Sequence, residues 1–120
     1  MKVLVVDDES LARERLVVLL ATIDGAEVAG EAGNGRDALQ AVARLRPDVV
    51  LLDIRMPVMD GLEAARHLGL LEKPPAIVVC TAFEDHSLAA FEANAVDYLV
   101  KPVRAEGLAA ALAKARRWSG

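Results

Sequence analysis

Short aliphatic runs, each closed on its carboxyl side by aspartate, constrain this chain more than any other feature. Val3-Leu4-Val5-Val6 leads into Asp7-Asp8-Glu9, and Val49-Val50-Leu51-Leu52 leads into Asp53. Neither run alternates apolar with polar residues, so a strand made from it must be covered on both faces. A parallel sheet between two layers of helices meets that demand. Composition agrees: 54% of the 120 residues are hydrophobic but only 3% are aromatic, so the core is built from Val, Leu, Ile and Ala.

Helical patterns separate the runs. Leu11, Val17, Val18 and Leu20 recur among Arg13, Glu14 and Arg15, a helix with one wet face. Gly25 breaks the chain before a weaker strand at residues 26–31. Asn34-Gly35 marks a turn, and residues 38–45 form a helix ended by Pro47. A loop over residues 54–60 contains Pro57. A helix follows at 61–71 and is closed by Pro74-Pro75. Residues 77–80 form the fourth strand. Residues 85–94 form the fourth helix, with Asp85 at its start and Asn94 at its end. A fifth strand at 97–100 precedes a last helix at 105–117, basic at its carboxyl end through Lys114, Arg116 and Arg117.

Five strand–helix units joined by short connections predict one α/β domain over residues 1–120, (βα)5, doubly wound around a parallel five-stranded sheet. The expected strand order is the flavodoxin-like 2-1-3-4-5, although other orders fit the same pattern. The net charge of -4, with no evident basic patch, argues against DNA binding through this surface. Cys80 is the single cysteine, so it forms no intramolecular disulfide, and a reducing compartment fits. It reads as a small buried hydrophobe, while His67 and His86 read as surface residues. The amino-terminal apolar run is too short for a signal peptide or membrane span. A cytoplasmic protein that does not use the membrane is expected.

Open α/β sheets bind ligands at the carboxyl ends of their strands. There the chain places Asp7-Asp8-Glu9, Asp53, Thr81 and Lys101-Pro102. Two carboxylates about 4 Å apart repel by roughly 4 kcal/mol at an effective dielectric near 20. Lys101 cannot neutralise three of them alone. A hard divalent cation can, and Mg²⁺ accepts oxygen ligands while keeping water and phosphate in its shell. Carboxylates, Mg²⁺, a lysine and a hydroxyl together make a phosphoryl-transfer site.

These residues carry a family resemblance. Residues 5–9, 48–57, Asp60-Gly61, Thr81-Ala82 and Tyr98-Leu99-Val100-Lys101-Pro102 resemble the receiver (CheY-like) domains of two-component response regulators, in order and at the right spacings. The resemblance implies that Asp53 accepts a phosphoryl group from a sensor histidine kinase. It implies Mg²⁺ held by Asp8, by Asp53, by the backbone carbonyl of Arg55, and by Asp7 largely through water. Lys101 would pair with a phosphoryl oxygen and Thr81 would contact it after transfer. Tyr98 would change rotamer with Thr81 as a switch, and the Lys101–Pro102 peptide is a candidate for cis. Arg55 and Phe83 would flank the path of the hydrolytic water. Residues 9–16 and 89–99 are most similar to the LytR/AlgR class, whose members control transcription through a carboxyl-terminal LytTR DNA-binding domain. Such an effector is expected to be missing from this chain, so DNA contact would come only through it; a natural single-domain regulator is the alternative.

Position makes the face of the fourth helix, fifth strand and fifth helix the expected responsive surface and a candidate homodimer contact, since Thr81 leads into that helix and Tyr98 and Lys101 sit on that strand and its exit. Ala89, Ala90, Ala93, Ala109 and Ala113 lie there with Glu92, Asp97 and Lys114. Plainer readings stand beside these. Asp7 or Asp8 alone would serve as a helix cap, and Asp53 as a turn residue. Thr81 would bond its own loop, Tyr98 would simply pack, and the alanines would merely favour helix. A phosphatase with an aspartyl-phosphate intermediate is the rival function. It needs a second aspartate two residues after the nucleophile, where this chain has Arg55. A nucleotide-binding turn is disfavoured because residues 6–11 contain no glycine. The expected role is a signalling module that catalyses only its own phosphorylation and dephosphorylation.

Overall fold

Each aliphatic run becomes a strand, and the strands pair in parallel throughout. The computed structural model describes residues 1–82 and 95–118. These form β1 (Lys2–Val6), α1 (Ser10–Leu20), β2 (Glu27–Ala32), α2 (Gly35–Leu45), β3 (Val49–Leu52), α3 (Gly61–Gly69), β4 (Ala76–Thr81), β5 (Ala95–Val100) and a C-terminal helix (Ala105–Trp118). The strand order is β2-β1-β3-β4-β5, the flavodoxin-like order that the sequence suggests.

Period-two alternation divides the sheet's side chains between two cores. Leu4, Val6, Val50, Leu52, Ile77 and Val79 pack on one face with Ala38, Ala41 and Val42 of α2 and Ala64, Ala65 and Leu68 of α3. Val3, Val5, Val49, Leu51, Val78 and Cys80 pack on the other face with Leu16 and Leu20 of α1 and Leu108, Ala111, Leu112 and Ala115 of the C-terminal helix. The central strands β1 and β3 are therefore buried on both sides, as their unbroken aliphatic runs require.

Element ends differ from the sequence reading where capping or register intervenes. α2 starts at Gly35 because Asn34 is its N-cap, the side chain accepting from Asp37 N–H at 2.8 Å. A motif that reads as a turn is thus the first turn of the helix. Asp60 caps α3 in the same way through Glu63 N–H at 2.8 Å, and that helix stops at Gly69, two residues early. Neither Asp7 nor Asp8 caps α1: its N-cap is Glu9, with no side-chain cap bond. β5 begins at Ala95 because its register to β4 shifts between Ile77 and Val78. The irregularity lengthens the strand and lets both Ala95 and Tyr98 face the α2–α3 core. The expected helix at 85–94, with Phe83, His86, Ala89, Ala90, Glu92 and Ala93, lies outside the described residues.

Candidate functional site

The acidic cluster follows from strand register. Val5 pairs with Leu51 and Val6 with Leu52. One step further along these parallel strands puts Asp7 beside Asp53, and Asp53 N–H donates to the Val6 carbonyl at 3.0 Å. Asp7 and Asp53 are 0% and 6% exposed, whereas Asp8, on the turn leaving β1, is exposed. Carboxylate oxygens of Asp7, Asp8 and Asp53 lie within 4.8 Å of one another.

β4 and β5 bring the remaining groups. The Lys101 backbone N–H donates to the Thr81 carbonyl at 2.8 Å, which holds the chain leaving β5 against the end of β4. The Lys101–Pro102 peptide is cis. Lys101 Nζ pairs with Asp7 Oδ2 and, at 3.3 Å, with Asp53 Oδ2. The other Asp7 oxygen accepts from Glu9 N–H at 2.9 Å. Both oxygens of Asp7 are therefore engaged by the protein. Asp8 makes no comparable commitment among the bonds of this turn and faces solvent.

Burial and charge pull the site in opposite directions. Burial raises the Asp53 carboxyl above its ordinary range; Lys101 opposes that rise, Asp7 adds to it, and a backbone bond from Arg55 lowers it without reversing the sum. For Lys101, burial disfavours the ammonium, but the bond to Asp7 and the charges of Asp53 and Asp7 outweigh it, so the pKa rises. Three carboxylates against one ammonium leave a surplus of negative charge in a pocket of hard oxygen donors. That donor set fits a hard divalent cation such as Mg²⁺ better than a soft one. Behind the site, burial pushes the Cys80 thiol up to about 12, so it is a packed hydrophobe and not a nucleophile.

The loop after Asp53 is held on two sides. Gly61 N–H donates to the Ile54 carbonyl at 2.7 Å, and Gly35 N–H donates to the Met59 carbonyl at 2.9 Å. At both glycines the neighbouring backbone occupies the place of a Cβ, 2.4 Å from Met59 O at Gly35 and closer still at Gly61. The Asp60-Gly61 motif is thus a cap followed by a close backbone approach.

The structure brings together Asp7, Asp8, Asp53 and Lys101. Thr81 is 1% exposed at the end of β4, and Tyr98 is half-buried on β5 against the α2–α3 core. Period-two alternation places Thr81 on that same face, after Ile77 and Val79. Arg55 is exposed on the loop. His67 is exposed, as read, and His86 falls outside the described residues. Lys114 and Asp97, both expected at a contact between copies, meet each other within the chain at 3.3 Å. Arg13, assigned only to a wet helix face, reaches back to the site: its Nη1 donates to the Asp7 carbonyl at 2.5 Å. Only its place one helical turn after the acidic run hints at that.

The response regulator receiver domain family model matches residues 3–113. The positive alginate biosynthesis regulatory protein of Pseudomonas aeruginosa is 55% identical over 118 residues, which cover 98% of this chain and 48% of that protein. The transcriptional regulatory protein BtsR of Salmonella typhi is 48% identical over 118 residues, covering 97% of this chain and 48% of that one. The chain therefore spans about half the length of these curated relatives. Among solved structures, the response regulatory domain of protein mrkE from Klebsiella pneumoniae superimposes with a TM-score of 0.88 at 34% identity, over 99% of this chain and 98% of that one.

Proposed function

The chain belongs to the response regulator receiver domains of two-component systems, and on that premise we propose that Asp53 is its phosphoryl acceptor and Mg²⁺ its cofactor. The observation that carries this reading is the Asp53 carboxylate itself. It is buried at a strand end, 3.3 Å from the Lys101 ammonium and grouped with Asp7 and Asp8. An Asp53 carboxylate oxygen attacks the phosphorus of a phosphohistidine on a sensor histidine kinase. The P–N bond breaks, and the imidazole leaves with its electron pair and takes up a proton. Lys101, already at Asp53, follows the new negative charge onto a phosphoryl oxygen. Bound Mg²⁺ would neutralise charge on the phosphoryl oxygens. Asp8, Asp53 and the Arg55 backbone carbonyl would hold it, with Asp7 acting through water.

Transfer has a conformational output in this reading. The phosphoryl group offers the Thr81 hydroxyl a charge-assisted acceptor, worth roughly 1.5–3 kcal/mol. Thr81 and Tyr98 share a face of the sheet, so movement of one makes room for the other. The responsive surface is β5 and the C-terminal helix, where Ala109 and Ala113 are exposed and suit a contact with a second copy. The domain is a regulatory switch that catalyses only its own phosphorylation and dephosphorylation, with Arg55 and Phe83 tuning the latter. It works in the cytoplasm as the receiver portion of a longer transcriptional regulator whose DNA contacts come from a LytTR-type effector domain. In the described residues no helix is long and apolar enough to cross a membrane.

Acetyl phosphate with Mg²⁺, followed by intact-mass measurement, tests the acceptor. Wild type should gain one phosphate and Asp53→Asn none. The same gain in Asp53→Asn would reassign the acceptor.

A further inference from the structure

We propose that Arg13 is a positioning residue for the divalent-cation site, locking the Asp7–Asp8 peptide so that the Asp8 carboxylate is set to receive the ion. The inference rests on the metal reading above and adds to it a residue outside the acidic cluster.

The Asp7–Asp8 peptide is where β1 ends and the turn into α1 begins. Its Asp7 carbonyl accepts from Arg13 Nη1 at 2.5 Å, and Arg13 Nε donates to Glu31 Oε1 on β2 at 3.2 Å. Two further bonds fix Asp7 itself: its N–H donates to the Ala32 carbonyl at 3.1 Å, and its Oδ1 accepts from Glu9 N–H at 2.9 Å. Asp7 is thus held at its amide, its side chain and its carbonyl. Asp8 is exposed, and among the described residues its side chain makes no hydrogen bond or ion pair that would aim it. A peptide is planar, so fixing the Asp7 carbonyl also fixes the Asp8 amide on the other side of the same plane.

The residue type suits the task. A guanidinium presents several donors in a rigid fork, so one side chain can hold a carbonyl through Nη1 and a carboxylate through Nε. Lysine offers a point charge on a flexible stem and cannot reproduce both bonds at once. Glu31 sits opposite Val5 in the β1–β2 register, and its neighbour Ala32 opposite Val6 accepts the Asp7 amide. The clasp therefore ties the metal turn to the edge strand β2 as well as to α1. The same guanidinium brings positive charge beside a cluster with a surplus of negative charge, which an isolated surface ion pair would have no reason to do.

The test is Mg²⁺ affinity, measured by calorimetric titration on unphosphorylated wild type, Asp8→Ala, Arg13→Lys, Arg13→Met, Glu31→Ala and Arg13→Lys/Glu31→Ala, each confirmed as folded by thermal melting. Groups that orient metal ligands are typically worth about ten- to a hundredfold in affinity. Both Arg13 variants should lose affinity on that scale, Glu31→Ala less, and the double variant no more than Arg13→Lys, because the two residues act as one clasp. In the metal-free protein the Asp8 amide NMR resonance should move in Arg13→Lys while those of β3 stay in place. Wild-type affinity in Arg13→Lys, or an unmoved Asp8 amide, would overturn the positioning role while leaving the metal reading intact. Equal affinity in wild type and Asp8→Ala, or no binding by wild type, would overturn both.

Discussion

Gly61 stands directly against the carbonyl of Asp53. A Cβ at Gly61 would lie 1.9 Å from that oxygen and 2.8 Å from its carbon. Both obstacles are backbone, so no side chain can swing aside to admit a methyl group. Gly61→Ala must instead displace the end of β3, the segment that aims Asp53. Such overpacking typically costs about 1–3 kcal/mol, and this site should fall at the upper end. Urea unfolding should show that loss. The yield of acetyl-phosphate labelling should fall with it, and more than in Asn34→Ala, which removes a cap worth about 1 kcal/mol but leaves β3 alone. A Gly61→Ala protein as stable as wild type would contradict the steric account.

Asp53, Asp7, Asp8 and Lys101 were legible in the sequence because parallel strands expose their carboxyl ends at one edge, and each of these residues closes or follows an apolar run. Their pairing needed only the β1–β3 register. The strand order was less legible. Alternating units are compatible with several orders, and the pattern of runs alone does not choose among them. The steric role of Gly61 and the reach of Arg13 are hidden for another reason. The need for glycine comes from a carbonyl eight residues earlier, and Arg13 looks like any solvated charge on a wet helix face. Both roles depend on how α1 and α3 seat on the sheet, which periodicity does not specify. β5 was read short because a register irregularity leaves no local mark in the sequence.

The raised Asp53 carboxyl fixes the sign of a stability change. A group whose pKa is raised by folding stabilises the fold while protonated and loses that contribution as pH rises through the folded value. Burial is the largest cause of this rise. Above that raised value and without metal, the ionised Asp53 is therefore a burden, and Asp53→Asn should be the more stable protein. The advantage should shrink as pH falls through the raised value toward the ordinary 3.8. Urea melts across that range in the presence of a chelator measure it. Added Mg²⁺ should stabilise wild type more than the asparagine variant. An advantage that grows in acid would have the wrong sign.

Lys101 has the converse role. Asp7 is 0% exposed, and Lys101 supplies its only ion pair among the described residues. Lys101→Met would leave that buried carboxyl group without its partner, and removing one partner of a buried pair costs about 3–5 kcal/mol. Replacing Asp7 by Asn in the same protein should recover most of the loss. With its pKa raised above 10.5, the ammonium contributes fully below that value and fades as pH climbs through the folded one. Wild-type stability should therefore decline in that alkaline window more steeply than that of Lys101→Met. A cost under about 1 kcal/mol, as for an exposed ion pair, would show that the pair is solvated.

Val58 is a β-branched residue in a backbone conformation that suits glycine. Its φ is 70°, and the flanking Met59 N–H donates to the Pro57 carbonyl at 2.8 Å, closing a three-residue γ-turn. The turn has a purpose: it delivers the Met59 carbonyl to the Gly35 amide and so ties the loop after Asp53 to the start of α2. The side chain contributes little to packing, being 69% exposed. Strain of this kind costs about 1–3 kcal/mol. Glycine would remove it while adding roughly 0.5–1 kcal/mol of unfolded-state entropy. Val58→Gly should therefore gain about 1 kcal/mol in urea unfolding, with Mg²⁺ affinity unchanged because the loop path is the same. Val58→Ala keeps a Cβ at the positive φ and should recover only part of that gain. A glycine variant less stable than wild type would mean that the valine side chain holds the loop through contacts and that its backbone is not under strain.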